Sequence, residues 1–129
     1  MVVGESLQKW EERVGSDVLY QIEVGDVGED GIAHELVMTR WHGYFAERFE
    51  VEFWGNKLRV VWKRKNNVFE TFKTISEMTY KNSFEEIPWW TDPSEVADMV
   101  SAVGAGTVYY LVLDYLKDIF SSPFIHEEG

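Results

Sequence analysis

Histidines and carboxylates are the side chains of this chain that could move protons or hold a cation. His34, His42 and His126 are accompanied by 23 Asp and Glu residues in a chain of 129. His34-Glu35 and His42 lack zinc-ligand spacing and have no evident third ligand, so no metal site is expected. Asp26, Asp30 and Gly31 imitate part of a calcium loop. That pattern needs an oxygen ligand where Gly28 stands and a glutamate where Val37 stands, and an acidic hairpin loop is the simpler explanation. Glu85 and Glu86 could divide acid and base roles, but adjacent carboxylates with no fixed geometry read as a solvated turn. Gly104-Ala105-Gly106 lacks the third glycine of a dinucleotide fingerprint and follows no clear strand. The sequence contains no P-loop and no nucleophile elbow. The absence of cysteine excludes disulfides, thiolate zinc sites, iron–sulfur clusters and cysteine catalysis. No cofactor is expected.

Aromatic residues offer a different chemistry, that of contact. They make up 16% of the chain, including six Trp. Pro88-Trp89-Trp90-Thr91-Asp92-Pro93 is the most distinctive string, and Trp41-His42-Gly43-Tyr44-Phe45 is a second aromatic connector. Trp is enriched at binding hot spots, so Trp89, Trp90, Trp41 and Tyr44 are the protein-contact candidates. The plain alternative is that both Trp89 and Trp90 pack beneath their connector.

Charge is segregated along the chain. Residues 1–56 hold four basic against twelve acidic side chains, residues 57–82 seven against two, and residues 83–129 one against nine. Lys57, Arg59, Lys63, Arg64 and Lys65 fall within nine positions of a chain whose net charge is −11. This basic strand can neutralise acidic neighbours in a sheet. Alternatively it forms an anion-binding face with Trp54, Arg59, Lys63, Lys65 and Phe72, where aromatic and cationic groups could stack bases and contact phosphates.

The elements that must position these residues are read from periodicity. Ser6 is a possible cap for an N-terminal helix with Leu7, Trp10 and Val14 on one face, ended by Gly15. Val18, Tyr20, Ile22 and Val24 alternate as a strand, and Gly25–Gly31 forms a hairpin loop before a returning strand over Ile32–Arg40. Phe49–Ile75 reads as a three-stranded meander with tight turns at Gly55-Asn56 and Asn66-Asn67. Two-residue loops would oppose Glu52 to Arg59, Glu47 to Arg64 and Lys63 to Glu70. They would also place Phe49, Val51, Phe53, Leu58, Val60, Trp62 and Phe69 on the core face. Glu77–Lys81 is a further short strand or edge segment. Asp92-Pro93-Ser94-Glu95 starts a helix that continues, with a kink at Gly104–Gly106, to about Phe120. The competing reading makes Thr107–Leu113 a strand.

The expected fold is therefore α+β. An antiparallel sheet of about five strands, a hairpin plus a three-stranded meander, is flanked by an N-terminal helix and a long C-terminal helix. One domain over residues 1–129 suits the length. Met1–Glu5 has no basic region or apolar core, and the longest uncharged run, Met99–Leu113, is too short to span a bilayer, so no membrane association and a cytoplasmic location are expected. The expected function is that of a non-catalytic acidic protein-binding domain, of inhibitor or immunity type, a viral accessory protein or a small assembly subunit. Its partner would be another protein, with acidity suiting a basic surface. Nucleic-acid or phospholigand binding is the alternative, and a small enzyme with a dispersed acidic site is the third class. Oligomeric state is left open.

Overall fold

The computed structural model describes residues 6–29, 31–54, 57–65, 70–79 and 89–120, with backbone alone at residues 6, 7, 26, 54, 57, 70–79, 119 and 120. Six strands run in sequence order: β1 Ser6–Val14, β2 Val18–Val27, β3 Ala33–His42, β4 Phe45–Trp54, β5 Lys57–Lys65 and β6 Glu70–Thr79. Each pairs antiparallel with the next, giving one sheet in the order β1-β2-β3-β4-β5-β6. A short 3-10 turn, Trp89–Thr91, leads into α1 Pro93–Val103 and α2 Ala105–Phe120. The α+β class and the antiparallel sheet stand, but both helices lie at the C-terminal end.

The segment expected to be an N-terminal helix is strand β1. Leu7, Trp10 and Val14 fit helical spacing, but Gln8, Trp10, Glu12 and Val14 also fit a period of two. Pairing with β2 over Val14↔Val18 to Gln8↔Val24 decides between them. Trp10 then packs on the core, while Lys9 and Glu11 occupy the opposite side of the strand.

The meander has the expected register at its first turn. Trp54 pairs with Lys57, Glu52 with Arg59 and Glu47 with Arg64. The second turn differs. Lys65 pairs with Glu70 and Lys63 with Phe72, so four residues separate the strands rather than two. The slip is an even number of positions, which preserves the sidedness of β5. A bulge between Val60 and Val61 then resets the β5–β6 pairing. Phe69 lies outside the described residues, as do Glu85 and Glu86.

Phe49, Val51, Phe53, Leu58 and Val60 face the core, joined by Ile22, Val24, Leu36 and Met38 from β2 and β3. The helices close this face. Ala105, Val108, Tyr109, Val112 and Leu116 are buried at helical spacing, which settles the Thr107–Leu113 segment as helix. Asp92 caps α1 as expected, its Oδ1 accepting from the Ser94 amide at 2.9 Å, with Pro93 in the first turn. The expected kink is a break. Gly104 has φ +92° and ψ 155°, outside the region open to L side chains, and it ends α1. Glu12 of β1 lies against this joint and accepts a hydrogen bond from the Gly106 amide at 2.8 Å. The strand thereby supplies a carboxylate to the N-terminus of α2. A Cβ on Gly106 would sit 3.0 Å from the Tyr20 ring, so the small residues here serve helix-on-sheet packing.

Candidate protein-contact site

The helices cover the Phe49 face of the sheet, while on the reverse face Val37, Thr39 and Val61 are buried among partly exposed charged side chains. The middle of that face is a lattice of opposite charges. Arg59 meets Glu52 at 3.3 Å, while Arg48 and Lys63 both reach Glu50, at 2.9 and 3.0 Å. Lys9 adds contacts to Glu11 at 3.4 Å and Glu23 at 3.8 Å. Much of the basic strand thus neutralises β4. Trp54 and Phe72 occupy the register positions opposite Lys57 and Lys63, and their side chains lie outside the described set.

The two aromatic strings have opposite fates. Trp90 is 0% exposed and Trp89 is partly buried against the same core, so both tryptophans of the most distinctive string are used in packing. Trp90 has no surface to offer a partner. The β3–β4 turn does the reverse. His42 pairs directly with Phe45, leaving Gly43 and Tyr44 as the reversal, with φ +61° at Gly43. Trp41, Tyr44 and Phe45 are 41%, 77% and 54% exposed. Alternation sends Trp41 to the reverse face and Phe45 to the helix side, with Tyr44 at the apex.

Trp41 does not swing freely. Its Nε1 donates to Gln21 Oε1 at 3.0 Å, and Gln21 Nε2 donates to Glu11 Oε2 at 2.7 Å. The Gln21 hydrogen bond, helped by Lys9, holds the Glu11 carboxyl below the usual carboxylate range. Beside Trp41 is a depression of about 280 Å³ whose charged walls are Arg48, Lys63, Arg64 and Lys65. Among the described residues Thr39 and Ala46 form the rest of its lining, and Glu70, in register with Lys65, has no described side chain. A second depression, of about 270 Å³, lies behind the same turn between Arg40, Phe45, Glu47 and Arg64.

A partly buried polar cluster anchors this end of the sheet to α2. Glu47 accepts from Trp62 Nε1 at 3.0 Å and from the Tyr109 hydroxyl at 3.5 Å, and pairs with Arg40 at 3.7 Å. Arg64, although opposite Glu47 in register, rests over the Trp62 ring at 5.4 Å. Tyr20 stacks edge-on to Tyr109 and donates to the Tyr110 hydroxyl at 3.4 Å. Burial pushes the Tyr109 phenol far up and the Tyr110 phenol to about 12, so both are neutral hydrogen-bonding groups rather than proton carriers at neutral pH.

Among the described residues no group of three or more His, Asp or Glu could hold a metal ion. No described helix is long and apolar enough to cross a membrane. Protein-family models, curated proteins and solved structures give no match to this chain.

The sequence pointed to Trp41 and Tyr44, with Phe45 beside them, but the cationic walls Arg48 and Arg64 were missed. The signal was available. The register that opposes Glu52 to Arg59 also opposes Arg48 to Lys63, and like charges directly opposite each other are unfavourable.

Proposed function

We propose that this chain is a non-catalytic protein-binding domain whose contact surface is the β3–β4 turn. The observation that carries the reading is the exposure of Trp41, Tyr44 and Phe45 around the end of one paired hairpin, Tyr44 at its apex and the other two on its opposite sides. Rigid aromatic side chains give large contact area at small entropic cost, and Trp and Tyr dominate interface hot spots. Two features support a purpose beyond folding. The core is already filled by Trp90, Tyr109 and Phe49 without drawing on these residues, and the Trp41 ring is held in place before any partner arrives. An inhibitor, an accessory protein or a small assembly subunit in the cytoplasm would all use such a surface.

The test is quantitative affinity capture from the source organism's lysate, using the wild-type chain and a Tyr44→Ala, Phe45→Ser double variant. Wild type is expected to retain a partner in a fixed ratio, and the double variant to lose most of it while keeping the wild-type melting temperature. Capture of the same proteins in equal amounts by both chains would refute the assignment.

A further inference from the structure

We propose that a depression at the joint of α1 and α2 binds a small organic cation with an apolar body, an ammonium group carried on an aryl or alkyl chain. The proposal is independent of the β3–β4 turn and of any protein partner.

Exposed apolar surface singles the place out. Among the described residues seven large apolar side chains are exposed. Trp41, Tyr44 and Phe45 belong to the turn, while Val14, Tyr110 and Leu111 converge on one depression of about 400 Å³. Keeping such side chains together in water is unfavourable, and a patch of this kind marks a binding surface.

The polar groups specify the charge of the occupant. Glu12 and Asp114 are the charged residues of the described lining, and neither makes an ion pair with a described residue. Glu12 is held in place, its Oε1 accepting from the Gly106 amide at 2.8 Å. The bare backbone of Gly106 lets Glu12 and Tyr20 approach together, since a Cβ there would stand 3.3 Å from the carboxylate and 3.0 Å from the ring. Tyr20 and Tyr110 meet edge-on with centroids 5.9 Å apart, and buried Tyr109 packs against both. Carboxylates beside aromatic rings attract a cation through its charge and through the ring quadrupoles together. Arg40 acts on the same tyrosines, but it pairs with Glu47 at 3.7 Å and does not line the depression. An anion would meet two like charges here, and a neutral molecule would leave both carboxylates without a counterion.

Size favours a small molecule over a polypeptide. The volume falls within the roughly 300–1,000 Å³ of small-molecule sites. The eight described lining residues are far fewer than the roughly 20–30 that each side of a stable protein interface uses.

The probe is phenethylamine, an ammonium ion at neutral pH, titrated into the full chain. Binding is read from the Gly106 amide resonance and the side-chain resonances of Tyr110 and Leu111. The expected result is a saturable shift of all three, with a dissociation constant on the order of 10 mM, the scale of so small a ligand. Phenethyl alcohol, its neutral analogue, and hydrocinnamate, its anionic one, should bind about fivefold more weakly. Asp114→Asn should weaken phenethylamine about threefold with an unchanged melting temperature, and Glu12→Gln, which keeps an oxygen for the Gly106 amide, by a similar factor. The Tyr44→Ala, Phe45→Ser variant should bind the amine as wild type does, so this proposal and the turn assignment fail separately. No saturable shift, equal binding of the neutral analogue, or undiminished binding by Asp114→Asn and by its combination with Glu12→Gln would overturn the proposal. So would micromolar binding of the peptide acetyl-Lys-Leu-Leu-Lys-amide, which would give the depression to a polypeptide.

Discussion

Large aromatic residues do unequal work in this molecule, and their surroundings decide which. Trp90 is sealed beneath the helices, whereas Tyr44 stands at a turn apex with most of its surface in water. Truncating a buried aromatic residue leaves a cavity and typically costs about 3–5 kcal/mol, while an exposed substitution without special contacts stays within about 0.5 kcal/mol. Trp90→Ala is therefore expected to lower the melting temperature sharply or to abolish the cooperative transition, and Tyr44→Ala to leave it nearly unchanged. Calorimetry of the two variants checks this, and a large loss in Tyr44→Ala would mean that the turn is structural. Composition could not separate these residues. The Trp89-Trp90 string looked like a contact because paired tryptophans seldom share a core, but a 3-10 turn between the sheet and α1 gave both of them packing partners.

At the scale of elements, the joint between α1 and α2 shows how a strand can organise helices distant in sequence. Gly104 takes a backbone conformation nearly closed to other residues, and a Cβ there would come within 2.7 Å of Glu12 Oε1. The Glu12 carboxylate could swing away, but it would then release the Gly106 amide at the start of α2. Gly104→Ala is expected to destabilise the fold by about 1–3 kcal/mol, the scale of a strained backbone position. Urea unfolding monitored by circular dichroism measures it, and a shift no larger than that of an exposed helix substitution such as Ala102→Ser would contradict the role given to this joint. The sheet itself was largely legible. Alternation in β2 and β4, the Gly55-Asn56 turn and the Asp92-Pro93 cap are local signals with one strong meaning each. β1 was not legible, because Trp10 and Val14 satisfy both periods while Leu7 fits only the helical one, and only pairing with β2 chooses. The second turn of the meander was misjudged for a related reason. Asn66-Asn67 suits a two-residue reversal, while the pairing of Lys65 with Glu70 leaves four residues between the strands.

At the scale of the molecule, a sequential antiparallel sheet followed by two helices has an unequal pair of faces. The helices come last in the chain and cover one face, and the β3–β4 turn projects from the end of the sheet with its aromatic residues exposed. Charge does not divide between the faces, since the basic residues of β5 meet the carboxylates of β4 on the reverse side of the sheet. This layout was only partly visible beforehand. Segregation along the chain was plain, but which face the helices take depends on packing, which no local pattern encodes. A second exposed apolar cluster, Val14, Tyr110 and Leu111 beside the helix joint, is the natural competitor for any partner.

Site-specific photocrosslinking sets these two surfaces against each other. A benzoylphenylalanine placed at position 44 in one preparation and at position 111 in another is irradiated in the source organism's lysate. The account predicts one discrete crosslinked product from position 44, suppressed by excess unlabelled wild-type chain, and none from position 111. A product from position 111 alone, or none that wild-type chain can suppress, would contradict it.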